Sequence, residues 1–390
     1  MVATFSALSL GALALLAMTW NLRLAPFDSR LAGSLADDPF RVLSQTRAEL
    51  TRNPSGPSLA YRSAVLGAAR REPLSDEAFV VAAFGAANEG RYSEALRLLE
   101  IARQRDPRNA ITRVMLLEAY LRQANAKQVV TEAGVLERLR PGSTQTLLPV
   151  LASLVQNDTT RAATKQALQG SLLNYPIMRE LAEQQVDPAL IMALSARMTA
   201  EQLSSDSIRQ QVGGLIDPYL KAERWPEAAQ LWAHFYARQP ADLGRVIDPK
   251  FSGNVGPPFG WQISASDGGL AEQSVAGLQV VHFGRKNWVV ARQALLLTPG
   301  TYRLNYSLGT QGTSLPDLAW RVDCATSGTT LIDLPFERAN ILGTRVTDRF
   351  TVPVDACPAQ WLALAARVGD ERGARSVVIR SVEILRLGNE

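Results

Sequence analysis

The strongest constraint on the fold is the spacing of the prolines that close successive apolar helices. Pro73, Pro107 and Pro141 lie 34 residues apart (107 minus 73, 141 minus 107), and Pro176 follows 35 further on. Proline removes a backbone donor and ends a helix, so evenly spaced helix ends mean that one supersecondary unit is repeated. Its content is clearest in 78–107, AFVVAAFGAANEGRYSEALRLLEIARQRDP, where small Ala83, Ala95 and Ala102 recur among large Phe79, Tyr92 and Leu99. Alanine at such places lets two antiparallel helices approach, and Asn88-Glu89-Gly90-Arg91 supplies a glycine-containing turn between them. One hairpin leaves a face uncovered, which predicts neighbours of the same kind.

Those neighbours are present in the sequence. Leu116, Leu117 and Tyr120 form the next apolar face before Pro141, and Leu215, Tyr219, Ala228, Trp232, Phe235 and Pro240 fill the same places again. Upstream, Phe40, Leu43 and Leu50 follow the capping residues Asp37 and Asp38 with helical spacing. The register fades between 142 and 208. Residues 38–241 thus resemble a tetratricopeptide-repeat (TPR-like) α-solenoid of five or six hairpins. The resemblance implies a concave surface, lined by the first helix of each hairpin, that binds a protein partner. An array that only packs on the next domain is the alternative.

Beyond Arg245 the helical period gives way to short runs of alternating apolar and polar residues, introduced by the Pro- and Gly-rich IDPKFSGNVGPPFGWQIS. Eight strands are predicted: GLQVVHF, WVVARQALLL, TYRLNYSLG, DLAWRVDCA, TLIDLPF, RVTDRFTVP, QWLALAARV and SVVIRSVEILRL. That number over 245–390 predicts an antiparallel β-sandwich. Asp248-Pro249-Lys250-Phe251, Pro258-Phe259-Gly260-Trp261, LLLTPGTYRLNYSL and SVVIRSVEIL resemble the jelly roll of carbohydrate-binding modules, which implies glycan binding. The family's opening carries Asn, Gly and Glu around the phenylalanine. Asp248 and Lys250 stand there in this chain, so no calcium site is carried over and no metal or cofactor is expected.

Period-two alternation assigns faces to the strands. Tyr302, Leu304, Tyr306 and Leu308 share one face of their strand, and Leu318, Trp320, Val322 and Cys324 one face of the next; both sets are expected in the core. The opposite sets, Arg303 and Asn305 with Arg321 and Asp323, are expected to line one sheet face and to hydrogen-bond sugar hydroxyls. A solvated face with a salt bridge is the alternative. Trp361, alternating with Ala363, Ala365 and Arg367, is the expected stacking platform, with Arg367 beside it. Trp261 and Trp288 lie near turns, and Trp261 reads better as a residue packed under a loop.

No basic run exists in a chain of 41 basic and 37 acidic residues, which gives no footprint for nucleic acid. Val2–Trp20 is free of charge and, as a helix of 19 residues, spans about 28 Å, the thickness of a hydrocarbon core. A single transmembrane anchor is therefore expected within 1–25, with a cleaved signal peptide as the alternative. Arg23 and Arg30 follow the segment and by the charge rule would retain the remainder in the cytoplasm. The two cysteines, Cys324 and Cys357, fall in one β domain, where a disulfide or a pair of buried thiols is expected. A disulfide together with a sugar-module resemblance outweighs the charge rule, and places the soluble domains in the periplasm of a bacterial inner membrane.

Catalytic signatures are missing from the sequence. His234 and His282 have no carboxylate or cysteine at metal-ligand spacing, and no nucleophile elbow, phosphate loop or dinucleotide fingerprint occurs. The expectation is a membrane-anchored adaptor without enzymatic activity, binding a protein on its repeats and a glycan on its sandwich, in cell-surface polysaccharide assembly or export. Two alternatives stand. One is a carbohydrate-active enzyme using acids among Asp323, Asp333 and Glu337; the other is a purely structural component of an envelope complex.

Overall fold

Among the described residues, the helices named below run from Leu59 to Gly244 and the strands from Gln262 onward. The computed structural model describes residues 59–195, 206–253, 255–309, 315–336, 346–355, 357–369 and 373–387, with Val42 and Gln45. The expected anchor at 1–25 lies outside these residues. Among the described residues no helix is long and apolar enough to cross a membrane. The chain divides into two compact units, Met1–Leu181 and Ala182–Glu390.

In the first unit, α1 (Leu59–Ala69) precedes two hairpins, α2 (Glu77–Asn88) with α3 (Tyr92–Arg105) and α4 (Ala110–Arg122) with α5 (Ala126–Leu139). The two turns are copies of one another. Gly90 and Ala124, 34 residues apart, both have a left-handed backbone (φ 78° and 52°). In each the following N–H reaches back five residues, Arg91 to the Ala86 carbonyl at 2.8 Å and Asn125 to that of Tyr120 at 2.9 Å. This is the glycine-type helix stop, which satisfies a terminal carbonyl and reverses the chain. Ala83 and Ala102 are wholly buried, as close helix approach requires.

Successive hairpins are joined by buried polar groups. Asn109 caps α4 by accepting from the Ile111 and Thr112 N–H groups, and its amide donates to Asp76 at the start of α2. Glu132 of α5, fully buried, receives Arg103 of α3 at 2.8 Å and Arg113 of α4 at 2.6 Å. The register fades after 142 because the next hairpin is shorter. Its helices α6 (Leu148–Gln156) and α7 (Asp158–Leu168) are separated by Asn157, whose side chain caps α7. Helix α8 (Asn174–Glu183) carries the chain across the border between the units.

The second unit opens with α9 (Pro188–Ser195) and a hairpin of α10 (Asp206–Lys221) and α11 (Trp225–Phe235). The turn recurs there, with Glu223 at φ 58° and the Arg224 N–H on the Tyr219 carbonyl at 2.8 Å. A two-sheet antiparallel sandwich follows. Sheet A has the order β1 (Gln262–Ile263), β4 (Trp288–Leu295), β9 (Gln360–Ala366), β6 (Leu318–Cys324), β7 (Thr330–Pro335). Sheet B has the order β2 (Gly269–Ser274), β3 (Gly277–His282), β10 (Arg375–Arg386), β5 (Gly300–Gly309), β8 (Val346–Val352). The eight predicted strands all occur, while β1 and β2 are additions: β1 has two residues, and β2, GLAEQS, is too polar to alternate.

The core lies between the sheets. Tyr302, Leu304, Tyr306 and Leu308 of β5 meet Leu318, Trp320, Val322 and Cys324 of β6 there, and Trp320 is wholly buried. Cys324 and Cys357 are joined by a disulfide at the core's edge. The Pro- and Gly-rich stretch after Gly244 is no loose linker, since Val246 and Phe251 belong to this core. Trp261 packs at a tilt against Phe251 with ring centres 4.8 Å apart and donates to the Asp248 carbonyl at 2.9 Å. From α11, Trp232 donates to the Gly256 carbonyl at 2.9 Å and meets the Phe259 ring edge-on. The terminal hairpin and the sandwich are therefore packed together.

Candidate functional site

The outer face of sheet A can be read from its strand registers. One transverse row is Gln262, Arg292, Ala363, Arg321 and Asp333, and the adjacent one is Ala294, Trp361, Asp323 and Thr330. Arg367 continues the outward alternation of β9. Four of the six expected ligand residues, Arg321, Asp323, Trp361 and Arg367, thus share a face. Arg303 and Asn305 do not join them. They lie on β5 in sheet B, on the opposite side of the sandwich, which corrects the expectation of one shared face. β5 and β6 follow one another in sequence but in different sheets, and alternation fixes only whether a side chain faces in or out.

On sheet A the polar groups engage one another. Arg321 donates to Asp323 at 2.9 Å, and the Thr330 hydroxyl donates to the same carboxylate oxygen at 2.6 Å. Arg367 pairs with Asp333, and Arg292 donates to the Gln262 side chain at 2.8 Å. The half-buried Trp361 carries the Arg292 guanidinium over its ring at 4.7 Å and meets Trp225 of α11 edge-on at 6.0 Å. A stacking sugar needs an open ring face. Arg292 occupies one such face, so a sugar would take the other or displace the guanidinium.

Sheet B presents a different outer face. Arg303 stands directly opposite Arg349 of β8, and on its other side Leu385 of β10. In the next row Asn305 lies between Thr347 and Glu383, and beyond it the Ser307 and Ser381 hydroxyls bond one another at 2.7 Å. Asn305 is 2% exposed, and its carbonyl oxygen has no hydrogen-bond partner. Arg349 is a residue that sequence reasoning passed over. The alternation of Thr347, Arg349 and Thr351 in its strand was a signal, but strand pairing was needed to bring it to Arg303.

Other chemistry-bearing groups have structural partners. Ser195 of α9 donates to the Met192 carbonyl at 2.9 Å, so its oxygen accepts from His234 Nε2 of α11 at 2.8 Å. Burial lowers the His234 pKa, in keeping with a neutral ring that donates here. His282, fully buried, lies 3.0 Å from the Gly268 carbonyl and 2.8 Å from that of Arg367. The Asp248 carboxylate accepts from the Ser252 N–H and hydroxyl and from the Gly253 N–H. Glu337 lies outside the described residues, and no cluster of potential metal ligands occurs among the described ones. No protein-family model matches the chain, and none of the curated proteins matches it.

Proposed function

We propose that the chain is a non-enzymatic, membrane-anchored adaptor on the periplasmic side of a bacterial inner membrane. In this reading its tetratricopeptide-type hairpins take a protein partner and its carbohydrate-module-type sandwich takes a glycan, in the assembly or export of a surface polysaccharide. The observation that carries it is the repeated turn: the same backbone reversal, at Gly90 and Ala124 in the first unit and at Glu223 in the second, builds helical hairpins of the kind from which partner-binding scaffolds are made. The disulfide supports an oxidising compartment. On the first helix of the second hairpin, Ile111, Val114, Met115 and Leu121 remain half-exposed and offer apolar contacts to a partner. The mechanism is tethering, which raises local concentration without chemistry.

Site-specific photo-crosslinking in the native host tests the partner surface. A crosslinker at Met115 is expected to trap a distinct protein that one at the exposed Arg97 on α3 does not. Identical products from both positions would remove the case for a groove. Thiol alkylation of intact cells tests the compartment: Cys324 and Cys357 are expected to react with a periplasmic reagent only after reduction. A second reading, a purely structural envelope component, is favoured by the mutual pairing of the polar groups on sheet A. It predicts that no saccharide binds the full chain.

A further inference from the structure

The two outer faces of the sandwich differ in how their arginines are used. On sheet A, Arg292, Arg321 and Arg367 each have a polar partner. On sheet B, Arg303 and Arg349 are a directly opposed cross-strand pair, and among the described residues neither side chain makes a hydrogen bond or ion pair. Side chains so placed start from Cβ atoms about 4.5–5.5 Å apart, and like charges there oppose strand pairing. Among the described residues neither guanidinium is paired with a carboxylate. Asp348 belongs to the opposite alternation and its carboxylate accepts from the Arg349 backbone N–H at 2.8 Å, while Glu383 faces Asn305 in the next row.

A second feature of the same face is incomplete. Asn305, adjacent to the pair and 2% exposed, has a carbonyl oxygen without a partner, and its amide makes no hydrogen bond among the described residues. An unpaired buried amide is costly unless something completes it. Around these groups stand the hydroxyls of Thr301, Thr347 and Thr351, with Leu385 on the far side of Arg303, 46% exposed. Two planar guanidiniums suit a carboxylate, which each can grip with parallel N–H donors. Hydroxyl and amide groups beside an exposed apolar side chain suit the rest of a sugar ring. From Arg303 to Ser307 the strand covers about 13 Å, more than a single small ion occupies.

We infer that the outer face of sheet B binds an acidic glycan, with a uronate carboxylate between Arg303 and Arg349 and the Asn305 amide bonded to the sugar. This rests on the glycan-binding reading above, and it names both the face and the charge of the ligand. A carboxylate between the arginines replaces a like-charge contact by two charge-assisted ones. Binding is accordingly expected to weaken with salt.

The test is calorimetric titration of the full, disulfide-intact chain with polygalacturonate as the uronate probe, dextran as the neutral one, and sodium acetate as the free anion. Polygalacturonate is expected to bind, with dextran far weaker and acetate weaker still. Arg303→Gln and Arg349→Gln should each weaken it by about tenfold or more. Arg349→Lys should recover part of the loss, and Arg97→Gln, at an exposed position on α3, should leave binding unchanged. Polygalacturonate is also expected to raise the melting temperature of the wild type but not of the double Gln variant, a measurement that also shows whether the variant folds. If dextran binds as well as polygalacturonate and Trp361→Ala removes both, the glycan reading stands and this inference falls. Wild-type affinity in the folded double variant, or affinity for acetate equal to that for the polymer, overturns the inference alone. No saccharide binding overturns both.

Discussion

The Gln293 side chain acts toward Ile247 as a neighbouring strand would. Its carbonyl oxygen accepts from the Ile247 N–H at 2.9 Å, and its amide donates to the Ile247 carbonyl at 2.8 Å. Gln293 is wholly buried on β4, and through it the stretch leaving the last helix is fixed to sheet A before Phe251 enters the core. Replacing Gln293 by Leu keeps the volume and leaves both Ile247 groups buried without partners, at about 1–3 kcal/mol each. We expect Gln293→Leu to lose about 2–4 kcal/mol in urea unfolding. A loss below about 0.5 kcal/mol, the level of a neutral surface change, would show that the clasp contributes nothing.

Asp76 makes the first unit sensitive to pH. Burial pushes its carboxyl from 3.8 up to about 6, against the lowering effect of the Asn109 amide, with Glu77 and Asp106 adding negative charge. The folded state thus holds a proton at a pH where the unfolded chain has lost it. The stability that this carboxyl contributes is fully present below about pH 4 and is lost as the pH rises through about 6, an effect of order 2–3 kcal/mol at most. Asp76→Asn keeps a neutral group in the same place and removes this dependence. The variant should match the wild type at pH 4 and melt at higher temperature at pH 7. A melting difference that is the same at both pH values contradicts the assignment.

Alternation and spacing carried the sequence reading as far as local physics reaches. Trp320 and Tyr306 are interior because they alternate with Arg321 and Asn305, and the helical turns at Gly90 and Ala124 repeat because residues 34 apart meet the same demand. Pairing was out of reach. Arg303 faces Arg349 because β5 and β8 are neighbours, and no local pattern assigns β5 and β6 to different sheets. The hairpin after 142 escaped the period because its helices are joined through one capping asparagine. The role of Trp361 was hidden for a related reason: Arg292 and Trp225, which cover it, come from a strand and a helix distant in sequence.

Glu132 is a buried carboxylate held by two arginines, Arg103 and Arg113, and Arg113 also donates to the Pro107 carbonyl through Nε at 3.0 Å and Nη2 at 2.8 Å. The cluster joins α3, α4 and α5. Glu132→Gln retains the shape and removes the charge, leaving two guanidiniums near one neutral amide. Breaking such a cluster from one side costs about 3–5 kcal/mol. Urea unfolding should show that loss in the first transition affecting the helices. Wild-type stability in Glu132→Gln would mean that water already screens the arginines.

The Cys324–Cys357 disulfide closes a loop over a sequence separation of 33 residues. In the chain-entropy account such a closure stabilises by about 3–4 kcal/mol, chiefly by restricting the unfolded chain. Gln360, wholly buried beside it, donates to the Cys357 carbonyl at 2.8 Å and accepts from the Leu297 N–H at 2.8 Å. These bonds hold the end of β9 and the chain after β4 whether or not the sulfurs are joined. Replacing both cysteines by alanine should therefore lower the unfolding midpoint of the sandwich by the loop term, plus a smaller cost for two lost sulfurs, without changing its fold. Circular dichroism would then match the wild type, while urea unfolding would show a loss of about 3–5 kcal/mol. A doubly substituted chain that unfolds at the wild-type midpoint would show that its unfolded state is already compact in this region.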